Sequence, residues 1–178
     1  MRRTVIGRTA ATGLMATSLA SASLAAVAPA HAADRTPIAV FRDWGAFREG
    51  PAVGPTRCFA IAEPPRGTAA AGRGAFASVA SWPAKRVRAQ LAVRLSHAPR
   101  GPVTLSLANA AFGLTVRGQE AWAHDRHADA AIVAAIRSGS SMSISGVTAD
   151  GVPFADAYRL RGAASAIDAA SLACPPGR

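Results

Sequence analysis

Alternation between hydrophobic and polar positions recurs along the chain and predicts β-strands. In residues 88–96, Leu91, Val93 and Leu95 share one face, while Gln90 and Arg94 share the other. A period of two is that of a strand with one buried face. The same period, or an apolar run bounded by turn residues, predicts strands at residues 38–47 (interrupted at 43–45), 57–62, 76–82, 103–107 and 112–117.

After residue 129 the apolar residues recur with the period of a helix instead of that of a strand. Asp129 is the predicted N-cap, and Gly139 stands where a C-cap glycine belongs. Residues 130–137 between them favour a helix, because their bulky apolar side chains recur at spacings of three and four. These side chains are Ile132, Val133 and Ile136.

The C-terminal part of the chain predicts a hairpin followed by a second helix. Asp150-Gly151 separates two strand-like runs, residues 141–148 and 152–161, and such a pair is a strong β-hairpin signal. Residues 163–172 predict a short helix. Several short strands with turns near every ten residues predict a mainly β fold, a β-sandwich or partly open barrel with one or two short helices.

The N-terminal segment has the charge and hydropathy order of a secretory signal peptide. Arg2, Arg3 and Arg8 precede an uncharged run at residues 9–30, and Ala30-His31-Ala32 supplies a cleavage site. We therefore expect residues 1–32 to be removed and residues 33–178 to form a single domain, periplasmic or secreted, without a transmembrane anchor. The general secretory route is preferred, and twin-arginine export is the alternative because two arginines are adjacent.

The positive net charge favours an anionic binding partner. It is +10 for the whole chain, and loss of the three leader arginines lowers it to +7. Lys85-Arg86-x-Arg88 is the only tight cationic group of the mature chain, and aromatic residues make up only 6% of the sequence. Because these aromatics are not interleaved with the cations, the chain lacks stacking platforms for single strands, and we expect no nucleic-acid partner. An anionic envelope surface or an acidic partner fits the charge.

Cys58 and Cys174 are the only cysteines. In an oxidising compartment two such residues usually pair, so a disulfide between them is predicted. Neither residue belongs to a C-x-x-C motif, which argues against a redox role.

Candidate catalytic chemistry concentrates in residues 124–129. His124, Asp125 and His127 offer imidazole and carboxylate ligands for a divalent metal, but their spacing matches no common zinc pattern. A solvated polar loop is the preferred interpretation, and a small metal-dependent hydrolase is the alternative. Asp156 is expected to be partly buried and paired with a strand arginine. No catalytic residue and no cofactor are predicted.

Three segments resemble the invasion-associated locus B family. The run from Asp129 to Ala170 resembles the family's closing unit of helix, glycine, hairpin, Leu-x-Gly and Ala-rich helix. Phe41-Arg42-Asp43-Trp44 and Arg57-Cys58 resemble two of its early strands. The resemblance implies a protein exported by an α-proteobacterium, with an immunoglobulin-like β-sandwich and a name linked to host-cell entry, but no established biochemical activity.

These observations favour a non-enzymatic envelope or binding module of unknown partner, an envelope or host-surface component being one candidate. Its expected contact loops are residues 64–74 and 124–127. A purely structural envelope component is a further alternative.

Overall fold

The structure, a computed structural model, describes residues 35–51, 54 and 56–175, so the predicted signal peptide lies outside the described residues. Within them the chain forms ten β-strands, two α-helices and a 3₁₀ turn at Pro83–Lys85. None of these described helices is both long and apolar enough to cross a membrane. In chain order the elements are β1 Arg35–Phe41, β2 Trp44–Glu49, β3 Arg57–Ala62, β4 Phe76–Trp82, β5 Val87–Arg94, β6 Val103–Leu107, β7 Ala110–Arg117, β8 Glu120–Trp122, α1 Arg126–Ser138, β9 Ser141–Val147, β10 Pro153–Arg159 and α2 Ala163–Ala173.

The ten strands join into a single antiparallel sheet in the order β1-β2-β3-β4-β5-β8-β7-β6-β9-β10. Neighbours in sequence pair as hairpins until β5. The chain then crosses to β6, and the hairpins β6–β7 and β7–β8 bring it back beside β5. Helix α1 connects β8 to β9, which pairs with β6 on the side away from β7. The predicted mainly β class with short helices is confirmed, and the sheet encloses one core in the manner of a β-sandwich or barrel.

Both helices pack against this core, each against its own set of strands. α2 contacts β1 to β4, and α1 contacts β5 and β7. Burial follows the sequence pattern: Val103, Leu105 and Leu107 of β6 are buried, and the residues between them are not. The expected stripe of α1, formed by Ile132, Val133 and Ile136, faces the same core.

The first and last parts of the sheet are joined at one corner. The indole nitrogen of Trp44, which is 1% exposed, donates to the carbonyl of Arg159 at 2.9 Å. The backbone N–H of Asp43 donates to the carbonyl of Arg161 at 3.2 Å, and the Asp43 carboxylate pairs with the Arg161 side chain. The β1–β2 turn therefore closes onto the chain that leaves β10.

Two predicted elements differ from the structure in detail. The interrupted strand expected at residues 38–47 is a hairpin, because the chain turns at Arg42, whose φ is +60°. Strand β8 was not predicted, since three residues are too few to show an alternating pattern. The hairpin expected around Asp150-Gly151 is confirmed by the pairing of β9 with β10.

Candidate functional site

The predicted disulfide is present and fixes α2 to the inner face of the sheet. Cys58 lies on β3 and Cys174 is the C-cap of α2, with 5.7 Å between their Cα atoms. Both residues are buried. Because side chains alternate along a strand, the neighbours of Cys58 in β3, Arg57 and Phe59, point to the opposite, outer face.

The outer face of β1 to β4 carries a cluster of aromatic and charged side chains. The register of β2 and β3 places Phe47 opposite Phe59 and Glu49 opposite Arg57. The two phenyl rings are stacked, with centroids 5.7 Å apart and an interplanar angle of 22°. Cross-strand pairs of this kind stabilise a sheet and fix its register.

Two guanidinium groups cover these rings. Arg57 lies 4.3 Å from the Phe59 centroid and 5.9 Å from that of Trp82, and Arg35 lies 5.1 Å from Phe59. Phe59 is therefore only 1% exposed although it is on the outer face. We call this group the arginine–aromatic cluster; its members are Arg35, Phe47, Glu49, Arg57, Phe59 and Trp82.

A single carboxylate serves both arginines of the cluster. Glu49 Oε1 lies 2.8 Å from Nη2 of Arg57 and 3.6 Å from Nη2 of Arg35. The Arg35 side chain remains 50% exposed, so solvent or a ligand can reach it. Stacking on aromatic rings holds an arginine in one orientation while its edge stays free to bind an anion. The cluster therefore has an excess of positive charge in a fixed arrangement.

A cleft of about 420 Å³ opens beside the cluster, at the base of the β4–β5 hairpin. Its floor and walls combine an indole ring, two cations, a carboxylate and a hydroxyl. The lining residues are Glu49, Thr56, Arg57, Trp82, Ala84 and Lys85.

The hairpin that forms one wall of the cleft has an irregular backbone. Pro83 begins the 3₁₀ turn, Arg86 and Ala89 have φ of +54° and +48°, and the β4–β5 register shifts between Ala80 and Trp82. Positive φ is unfavourable for residues with a Cβ, and such residues concentrate at functional sites. This bulged hairpin brings Lys85 to the cleft.

A second depression, of about 630 Å³, lies at the other side of the cluster. Arg35 and Phe47 belong to its lining as well as to the cluster, and Arg42 and Arg66 add two further cations. Asp43 and Glu63 are its acidic residues. The outer face of β1 to β4 is thus a continuous surface on which cations outnumber carboxylates.

Residues 124–127, the segment that contains His124 and His127, span the start of α1. Asp125, not the predicted Asp129, is the N-cap: its carboxylate accepts from the backbone N–H of Ala128 at 2.8 Å. The pKa of Asp125 is lowered, first by this hydrogen bond and then by the charge of His124, whose Nε2 lies 3.2 Å away. Among the described residues, no group of three or more His, Cys, Asp or Glu side chains is arranged to hold a metal ion.

Asp129 has a different partner from the one expected. It is 5% exposed, and its Oδ1 accepts from the backbone N–H of Leu91 at 2.8 Å. Leu91 precedes the residues of β5 that pair with the short β8, so this N–H has no strand partner on that side. Burial raises the pKa of Asp129, and the hydrogen bond from Leu91 opposes that shift. The Asp129 carboxylate thus accepts from a backbone N–H of β5 that no neighbouring strand pairs with.

Asp156 is fully buried and does not pair with a strand arginine, so that expectation was wrong. Its carboxylate accepts from both the backbone N–H and the hydroxyl of Ser96. Ser96 Oγ also lies 2.9 Å from Nδ1 of His97, whose ring packs on Phe154. Burial, followed by the charge of Asp156, raises the pKa of Tyr158. The Ser96 hydroxyl is therefore a hydrogen-bond donor to a buried carboxylate.

The second expected contact loop, residues 64–74, is a series of turns. Thr68 Oγ1 donates to the carbonyl of Pro65, and Arg73 Nε donates to that of Ala69. Ala70 is buried and anchors the segment.

The arginine–aromatic cluster was not singled out from the sequence, although its signal is present there. The order of ring and charge is reversed between residues 47–49, which read Phe-x-Glu, and residues 57–59, which read Arg-x-Phe. Antiparallel pairing of β2 with β3 therefore places ring opposite ring and carboxylate opposite guanidinium. The contributions of Arg35 and Trp82 depend on neighbouring strands and have no local signal.

Comparisons with known proteins show a structural similarity but no sequence match. No protein-family model matches the chain, and no curated protein matches it in sequence. Among solved structures, it is similar to the crystal structure of invasion associated protein B from Bartonella henselae, with a TM-score of 0.46 and 15% sequence identity. The match covers 73% of this chain and 92% of that one. A similarity of this size assigns neither a family nor a function.

Proposed function

We propose that the protein acts outside the cytoplasm as a non-enzymatic binding module, and that the outer face of β1 to β4 is its contact surface. The observation that carries this proposal is the arginine–aromatic cluster. Tryptophan and arginine, both present in this cluster, are among the side chains most enriched at binding hot spots. Here Arg35 is half exposed on the outer sheet face, and Phe47 and Trp82 are partly exposed beside it, above the buried ring of Phe59.

The location outside the cytoplasm is supported by two independent features. The leader at residues 1–32 has the order of a signal peptide, and Cys58 is bonded to Cys174. A disulfide of this kind persists in an oxidising compartment and is rare in the cytosol.

A binding role, rather than catalysis, is supported by the structural hydrogen bonds that three aspartate carboxylates make. Asp125 caps α1, Asp129 accepts from Leu91, and Asp156 accepts from Ser96. Each of these carboxylates is committed to holding the fold. The expected loops at residues 64–74 and 124–127 remain candidates for additional contacts, and the metal-dependent hydrolase remains the alternative.

Fractionation of cells that express the full chain with a C-terminal tag tests this proposal. We expect the tagged protein outside the cytoplasm, shortened by residues 1–32, with no alkylatable thiol. It should sediment with envelope fragments at low salt and be released at high salt, because exposed charges are screened. Full-length protein in the cytosol with two free thiols would contradict the proposal.

Metal analysis of the same exported protein tests the alternative. Stoichiometric zinc that is lost when His124 and His127 are changed to Ala would favour the hydrolase. Envelope binding that is unchanged in that double variant and lost in Arg35→Glu would favour the binding module.

A further inference from the structure

We propose that the cleft beside Trp82 binds one ring of an acidic polysaccharide, and that the β4–β5 hairpin supplies the cations for its carboxylates. This inference deepens the proposed function and rests on it. It names the ligand class of the same outer face and places the principal subsite between Trp82, Arg57 and Lys85.

The size and the lining of the cleft suit a sugar ring. Trp82 is half buried and contributes an indole to a wall that also contains the methyl group of Ala84. Aromatic faces carry partial negative charge, and the axial C–H bonds of a pyranose carry partial positive charge, so the two surfaces attract one another. At about 420 Å³ the cleft is within the range of small-ligand sites.

The polar groups around the indole fit hydroxyls and a carboxylate. Thr56 donates its hydroxyl to the carbonyl of Glu49, so its oxygen is left to accept from a ligand hydroxyl. Glu49 accepts from Arg57 and has further lone pairs for a second donor. Lys85 and Arg57 are donors to an anion. A sugar acid presents hydroxyl donors together with a carboxylate. A polyphosphate chain presents only anionic acceptors, and the Glu49 carboxylate would repel them.

The charge of the surroundings favours a polymer over a single sugar. Lys85-Arg86-x-Arg88 is the tight cationic group of the sequence, and the structure places it at the hairpin bordering the cleft, with all three side chains exposed. Arg35, Arg42 and Arg66 continue the positive charge across the cluster to the second depression. A chain of acidic sugars lying along the outer face would meet cations at both ends of the cluster.

Oligogalacturonate is the test ligand, and its methyl ester, which has the same rings without the charge, is the matched control. Affinities are measured by calorimetry with the oxidised, exported protein at low and physiological salt. We expect oligogalacturonate to bind at least tenfold more tightly than the methyl ester. Single-stranded DNA and polyglutamate, which are anionic polymers without sugar acids, should bind at least tenfold more weakly than oligogalacturonate. Equal or tighter binding of either polymer would overturn the proposal.

Two charge reversals locate the site. Lys85→Glu should weaken oligogalacturonate binding at least tenfold. Arg100→Glu makes the same charge change at an exposed residue between β5 and β6 and should alter the affinity by less than twofold. Equal losses in the two variants would show that only net charge matters and would overturn the assignment of the cleft.

Substitution of the ring tests the stacking contact. Trp82→Phe keeps an aromatic face and should retain most of the affinity, whereas Trp82→Leu should lose at least tenfold. A far-ultraviolet spectrum and the absence of free thiols establish that each variant is folded. If Trp82→Leu is not folded, the two charge reversals still decide the question. An exported protein that binds envelope but shows no preference for oligogalacturonate would refute this inference and leave the proposed function standing.

Discussion

The Oδ1 atom of Asp129 accepts a hydrogen bond from the backbone N–H of Leu91 at 2.8 Å, which joins α1 to β5. Strand β8 pairs with β5 only at residues 92–94, so it offers no partner to the N–H of Leu91. The Asp129 carboxylate takes the place of that partner. An unpaired backbone donor in the interior costs about 1–3 kcal/mol, so a buried carboxylate here stabilises the fold despite its own desolvation. Asp156 does the same for the backbone N–H of Ser96, beyond the end of β5.

Asp129→Ala should therefore lower the free energy of unfolding by about 1–3 kcal/mol, because the Leu91 N–H loses its acceptor. Asp129→Asn retains an acceptor oxygen and should lose less. Urea unfolding at neutral pH measures both. Equal losses in the two variants would show that the hydrogen bond to Leu91 contributes nothing.

The pH dependence of the Asn variant follows from the raised pKa of Asp129. When the folded pKa lies above the unfolded value of 3.8, the folded state binds the proton more tightly. Stability from this group is then fully present below the unfolded pKa and is lost as pH rises through the folded pKa. The stability of Asp129→Asn relative to the wild type should therefore increase from pH 3 to pH 7.

Asp168 provides a control of opposite sign. Its hydrogen bond to Arg137 lowers its pKa, so its contribution is present above the unfolded pKa and is lost as pH falls through the folded one. Asp168→Asn should be less stable than the wild type at pH 7, and the difference should shrink toward pH 3. Trends of the same sign in the two Asn variants would contradict one of the two assignments: that of Asp168 if both differences rise with pH, and that of Asp129 if both fall.

The sequence was sufficient to predict the elements that depend on local pattern. The alternating period of β5 and β6, the apolar stripe of α1 and the Asp-Gly hairpin are each visible within about ten residues of sequence. The pairing of Cys58 with Cys174 was also predictable, because only two cysteines exist and the leader indicates export.

The misassigned residues are those whose partners are distant in sequence. Asp125, four residues before Asp129, caps the helix, whereas Asp129 accepts from Leu91, which is 38 residues away in sequence. Asp156 was expected to meet an arginine because buried carboxylates need donors, but Ser96, 60 residues away, supplies them. The arginine–aromatic cluster likewise depends on four strands meeting at one face.

Loss of the disulfide should destabilise the protein through its unfolded state. The bridge closes a loop of 116 residues, for which the chain-entropy relation gives about 4–5 kcal/mol. Reduction of the wild type and the double substitution Cys58→Ala/Cys174→Ala should both lower the unfolding free energy by up to this amount. The denaturant dependence should also steepen, because the unfolded chain becomes more extended. An unchanged urea midpoint after complete reduction would exclude this role for the bridge.

Trp44→Phe tests the closure of the sheet corner. The variant removes the indole donor from the carbonyl of Arg159 and leaves space in the core, at an expected cost of about 1–3 kcal/mol. The backbone N–H of Asp43, which donates to the carbonyl of Arg161, should exchange with deuterium faster. Trp122→Phe, at a half-buried position on β8, is the control and should leave exchange at Asp43 unaltered. Equal acceleration in both variants would mean that Trp44 has no specific role in the closure.

Gly162, directly before α2, is a position where no side chain is tolerated. Its φ is +89°, and a Cβ there would lie 1.8 Å from the carbonyl oxygen of Phe41 at the end of β1. Gly162→Ala should therefore cost more than the roughly 1–2 kcal/mol of the backbone conformation alone, because β1 or α2 must also move. Gly151→Ala is the matched control: its φ is +83°, but nothing lies within 4 Å of the added atom. Urea unfolding should show a clearly larger loss of unfolding free energy for Gly162→Ala. Equal losses would mean that the structure can separate α2 from Phe41 at no energetic cost.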